Sequence, residues 1–167
     1  MVCSINTLAA EFVDRCPARA FARLPMNEPQ SSRRLGRSIL ALFAGFVLVV
    51  ALSVLTDVIL HATGVYPPLG QPAPDGLLAL ATIYRTVFGV AGSYVTARLA
   101  PYRPMTHAMI GGAIGLVLSI VGAVGTWAHP EKFGAHWYPV ALIVLALPTA
   151  WVGGKIRIVQ LARAATA

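Results

Sequence analysis

Charge is what this sequence has least of. Only 11% of its 167 residues are Asp, Glu, Lys or Arg, against roughly a quarter in an ordinary globular domain. That shortage, with 57% hydrophobic residues and a mean hydropathy of +0.71, excludes a water-soluble domain of ordinary composition and places the chain in the membrane class. Cysteine is scarce too. Cys3 and Cys16 both lie near the N-terminus without metal-ligand spacing, which argues against a disulfide framework or thiolate metal centre and reads as reduced cytosolic thiols. No apolar stretch precedes a cleavage site, so no signal peptide is expected. Ser-His-Asp order, a Gly-rich phosphate loop and paired catalytic carboxylates are also missing, so neither an enzyme nor a cofactor is expected. The net charge of +7 does not point to nucleic acid, because the basic residues collect between apolar runs without interleaved aromatics.

Long apolar runs are what the chain has in abundance. A membrane-spanning helix needs about 20 mostly apolar residues, and four segments qualify: about 38–62, 77–97, 105–127 and 137–154. Residues 38–56 contain no charge, and Arg85 alone interrupts the second segment. Pro139 suits the first turn of the fourth, where a missing N–H costs nothing, and Pro148 is expected to kink that helix. The connection at 64–76 has four prolines and no Lys or Arg, which makes it a stiff, non-helical loop. The connection 101–104 reads as a tight turn, and 128–136 as a short polar loop.

Basic residues set the expected orientation. Residues 1–37 carry six Lys or Arg, 98–104 two and 155–167 three, against Lys132 alone in the opposite loops. Positive charge favours the cytoplasmic side. The expected fold is therefore an all-α membrane protein, a four-helix antiparallel bundle with both termini cytoplasmic and 158–167 as a short tail. Tyr66, Trp127, Trp137 and Tyr138 would mark the outer interface. Ahead of the bundle, Ile5, Leu8, Ala9, Phe12, Val13 and Cys16 recur at helical spacing, which suits a short amphipathic helix on the cytoplasmic leaflet. A translation start at Met26 is the alternative, distinguished by mass spectrometry of the mature N-terminus.

In lipid, helices associate through small residues and interhelical hydrogen bonds. The third segment carries His107, Gly111, Gly115, Ser119 and Ala123 at spacing four, with Gly111 and Gly115 forming a GxxxG pair. The second carries Ala81, Arg85, Gly89, Ser93 and Ala97, and the fourth Ala146, Ala150 and Gly154. On the first, Ala41, Gly45, Val49, Ser53, Asp57 and His61 form one stripe that becomes polar toward its outer end. These stripes are expected to be the packing faces.

Asp57 and Arg85 are the charges at depth. A charge at the bilayer centre costs roughly 2.5–3.5 kcal/mol on insertion scales and so seeks a partner or water. Asp57 lies roughly 10 Å and Arg85 roughly 13 Å below the outer helix ends at 1.5 Å per residue. Side chains lean toward the N-terminus of their own helix, so the two should converge as an ion pair, with Ser53, His61 and Tyr84 as polar neighbours. A register-fixing pair is the first expectation, and a protonatable or substrate-binding carboxylate the second. His61, His129 and His136 fall at the same face with Glu131, but at no diagnostic spacing, so they are read as interface histidines and no metal site is expected. His107 should pack or hydrogen-bond near its turn.

The stretch "GSYVTARLAPYRPMTHAMIGGAIG" (92–115) resembles a helix-turn-helix junction of small uncharacterised bacterial four-helix integral membrane proteins: a small residue and Tyr, Ala-Arg-Leu-Ala, a short basic turn, then His-Ala and glycines. The likeness covers roughly 38–157. It implies the bacterial inner membrane and the four-helix topology, and it brings no established activity. The size is also similar to that of small multidrug carriers with a carboxylate in the first helix. Asp57 departs from them by lying near the outer end, with Arg85 placed to neutralise it. The functional expectation is a non-enzymatic structural or accessory component, with the bilayer, other membrane proteins or a second copy as partners. The alternative is a small oligomeric transporter or channel that uses Asp57.

Overall fold

A computed structural model describes residues 28–68 and 70–166; the amphipathic N-terminal segment and the Met26 start lie outside them. The described residues are helical and contain no strand. Four long helices, α1 (Glu28–Ala62), α2 (Asp75–Leu99), α3 (Pro104–Trp127) and α5 (Trp137–Ala165), are joined by loops, with one short turn of helix, α4 (Pro130–Phe133), between the last two. Each long helix has a stretch long and apolar enough to cross a membrane, with mean hydropathies of 2.7, 1.3, 2.1 and 1.6 in chain order.

Local chemistry explains the ends. Gly64, at φ 73°, stops α1 in the left-handed conformation that glycine adopts without steric cost. The N–H of Val65 reaches back to the carbonyl of Leu60 at 3.0 Å, as in a Schellman cap. Helix α2 stops before Pro101, whose ring drives Ala100 out of the helical region to ψ 128°. Pro104 opens α3 behind Arg103, which turns the chain at φ 42°. His107 is buried there, with Nδ1 3.3 Å from the carbonyl of Arg103 and its ring edge-on to Tyr102. Helix α5 continues through Pro148 and beyond the apolar run to Ala165, so the segment expected as a tail is helical. Nothing in "KIRIVQLARAA" breaks a helix, since it holds neither Gly nor Pro.

The core is made of small residues. Ala41, Ala81, Ala97, Ala108, Ala123 and Ala150 are buried, with Leu78 the one large apolar residue among them, while Phe43, Val121, Val124 and Val144 are all more than 60% exposed. In water such an apolar belt would be a severe aggregation liability; in hydrocarbon it is the solvated surface. Helix α5 packs extensively on both α2 and α3, which touch each other less. Adjacent glycines permit this: a Cβ at Gly153 would lie 2.6 Å from the carbonyl oxygen of Val90 on α2, and one at Gly154 would lie 3.0 Å from the Cβ of Ala108 on α3.

The seam between α1 and α2 is tighter still. A Cβ at Gly45 would fall on the side chain of Thr96 and 2.6 Å from the carbonyl oxygen of Gly92. One at Gly92 would fall on Val49 and 2.8 Å from the carbonyl oxygen of Gly45. Helix α3 differs from expectation. A Cβ at Gly115 would meet nothing within 4 Å, and one at Gly111 only Leu42 at 3.7 Å, whereas one at Gly112 would collide with Ala150. The seam therefore runs through Ala108 and Gly112, one residue round from the Gly111–Gly115 ridge. Both phases offer small residues at spacing four, and contact with α5 selects the one that fits the Ala146–Ala150 ridge.

Candidate functional site

Asp57, on the last turns of α1, faces Tyr84 and Arg85, which are consecutive on α2. The Arg85 Nη2 donates to Asp57 Oδ2 at 2.7 Å, and the Tyr84 hydroxyl donates to Asp57 Oδ1. Each carboxylate oxygen thus has a donor from the neighbouring helix. The side chains of Arg85 and Asp57 keep 35% and 30% of their surface exposed, so the pair lies at the margin of the helix interface. Among the described residues, the Arg85 Nε is the buried side-chain polar atom without a partner.

Two further tyrosines complete the cluster. Tyr66, in the loop after α1, donates to the carbonyl of Leu77 at 3.2 Å and lies within hydrogen-bonding reach of Tyr84. Tyr138, on the first turn of α5, lies within electrostatic reach of Arg85 and Asp57. Sequence reasoning placed both at the interface and missed their convergence on the pair. The only available signal was their equal distance from the helix ends, which specifies depth but not direction.

His61 differs from its expected role. Its Nδ1 sits 2.9 Å from the backbone carbonyl of Asp57 and its ring stands edge-on to Tyr66. The imidazole folds back along its own helix onto a carbonyl four residues earlier, a local contact that turns Nδ1 to the backbone and not to the carboxylate. Ser53 is buried one turn before Asp57. His136 stacks on Trp127 and places Nε2 3.0 Å from its carbonyl, and Trp137 Nε1 donates to Asp75 at 2.9 Å. Among the described residues, no three His, Cys, Asp or Glu side chains converge as a metal site.

A cavity of about 270 Å³ runs from Arg85 along the middle of the helices. Gly45, Ser53, Gly89, Ser93, Gly111, Gly115 and Ser119, the small and hydroxylated residues expected to pack, all line it. Some of them also serve the seams: Gly45 against α2, Gly89 with Thr149 Oγ1 3.3 Å from where its Cβ would be, and Ser93 against Gly153. On α3, the ridge borders open space. Two of the cavity hydroxyls are internally satisfied, with Thr86 donating to the carbonyl of Thr82 at 2.6 Å and Thr149 to that of Ala146 at 2.9 Å.

Chemically, the cluster offers a carboxylate already held by a guanidinium and a phenol, beside a mostly apolar cavity. It does not pair a nucleophile with a base. No family model, curated protein or solved structure matches this chain.

Proposed function

We propose that the chain is a non-enzymatic integral protein of the bacterial inner membrane, a structural or accessory component of a membrane assembly. Its four long helices cross as an antiparallel bundle with both termini in the cytoplasm. The apolar belt and the small-residue core support a lipid environment, and the eleven-to-one distribution of Lys and Arg supports the orientation. The resemblance to small bacterial four-helix membrane proteins supports the compartment.

One observation carries the structural role: both oxygens of Asp57 are held by donors from a single neighbouring helix. A carboxylate that cycles a proton or cation has to give up such partners at every turn. One that locks helix register keeps them. Asp57→Arg alone is expected to express poorly, and Asp57→Arg with Arg85→Asp to recover; equal loss in the single and double variants would refute direct pairing. Co-purification in mild detergent should retain partner proteins or a second copy, and a lone monomer would count against an assembly component.

The cavity reaching Arg85 favours a second reading, an oligomeric transporter or channel working through Asp57. Four helices enclose too little space for a wide aqueous path, so this reading needs a second copy. If Asp57→Asn with Arg85→Gln preserves folding and cellular phenotype, it loses its charged residues at depth.

A further inference from the structure

The cavity has a shape that helix packing alone does not require. Its wall on α1 extends from Leu42 to Ser53, roughly 16 Å at 1.5 Å per residue, so it is elongated along the helices. Its lips are Phe46 on α1 and Ile114 and Leu118 on α3, each 45–48% exposed. These side chains belong to the apolar belt, and the cleft therefore opens sideways between α1 and α3 into the surroundings of that belt. Its back is formed by α2 and α5, including Gly89 and Ser93 on α2 and Ala146 and Thr149 on α5.

Size and chemistry select an occupant. A helix is about 10 Å across with its side chains and does not fit within 270 Å³. Water fits but needs two to four polar partners; Thr86 and Thr149 spend their protons on their own helices, and the hydroxyls of Ser53, Ser93 and Ser119 are scattered along walls that Leu42, Phe46, Val49, Ile114 and Leu118 make apolar. An apolar void of about 150 Å³ takes one benzene; by the same scale this cleft takes a chain of about ten carbons. At the cleft's end stands Arg85, with a buried N–H that no protein atom accepts.

On the membrane-spanning reading above, we propose that the cleft is a lipid site. It takes one acyl chain from the bilayer, with an ester or phosphate oxygen of the same lipid drawn toward the guanidinium of Arg85. Asp57 takes one of the five N–H groups of Arg85 and neutralises its charge, so recognition is by hydrogen bond and chain fit, not by headgroup charge.

Gly115 provides the means to test this. It lines the cleft, and a Cβ added there would meet nothing within 4 Å, so a longer side chain grows into the cleft. Gly122, on the same helix, is exposed, has equally free space and lies outside the cleft. The protein is reconstituted in vesicles of phosphatidylethanolamine and phosphatidylglycerol containing a phosphatidylglycerol with a diazirine in one acyl chain. After illumination, labelled positions are mapped by mass spectrometry. Labels are expected on the cleft-lining stretches 42–53 and 111–119, falling about tenfold in Gly115→Leu, whose added volume occupies the space of the chain, and unchanged in Gly122→Leu. Thermal melts of both variants in detergent establish that they fold. Labels spread evenly over the outward faces, or equal labelling in both variants, would overturn the lipid site while leaving the membrane reading intact. A cleft that stays unlabelled in a protein sedimenting as a dimer would assign it to a second copy, and also overturns the proposal. Absence of labelling anywhere on the helices would instead overturn the membrane reading itself.

Discussion

The two halves of the α1–α2 contact hold together by different physics. Around Gly45 and Gly92, two backbones approach until no Cβ fits between them, and dispersion over a small-residue seam supplies the attraction. Around Asp57, the helices are joined by long polar side chains, with Arg85 and Tyr84 reaching across to one carboxylate. A close-packed seam tolerates no added atom. A polar bridge tolerates changes of volume but not of charge. One contact sets the distance between the helices, and the other sets their register, because a shift of one residue turns Arg85 away from Asp57.

Substitutions should separate the two halves. The largest effect is expected at the seams: Gly92→Leu and Gly153→Leu each drive a side chain into backbone, where overpacking costs about 1–3 kcal/mol or more, and little folded protein should survive a detergent thermal melt. Asp57→Ala should come next. It strands the Arg85 guanidinium, and a loss of about 1–2 kcal/mol is expected, near the upper end of measured interhelical polar contacts in bilayers; equilibrium unfolding in mixed micelles measures it. Tyr84→Phe removes one hydrogen bond and leaves the ion pair, so about 0.6 kcal/mol is expected from the same measurement. The smallest pair sharpens the comparison on one helix. Gly115→Ala gains helix propensity of up to about 1 kcal/mol in open space, while Gly112→Ala meets Ala150; the first should melt at or above the parent temperature and the second below it. The reverse order would return the seam to the Gly111–Gly115 ridge.

Much of this architecture can be read in the residues themselves. The charge-free run at 38–56 and the prolines at 67, 68, 72 and 74 mark a long helix and its end, because a backbone in hydrocarbon has to satisfy its own hydrogen bonds. Asp57 and Arg85 stand out as the oppositely charged residues within apolar segments, and their depths follow from counting. The α3 seam is not legible in the same way. His107, Gly111, Gly115 and Ser119 at spacing four compete with Ala108 and Gly112 at the same spacing, and the sequence holds nothing that ranks them. In water, the apolar side of a helix declares which face is inside. In a helix apolar all round, that signal vanishes, and the complementary shape of α5 makes the choice.

His61 and the tyrosines follow the same division. Their distance from the helix ends was countable, but the His61 imidazole folds back onto the carbonyl of Asp57 on its own helix, and the loop after α1 sets Tyr66 edge-on to that imidazole. Composition and periodicity by themselves determined four long apolar helices, their approximate limits and the presence of one acid and one base at similar depth. Only the tertiary structure decided which glycines are filled by a neighbour and which open onto a cleft. Spacing along one helix repeats at several angles round its axis, and the partner helix fixes the angle.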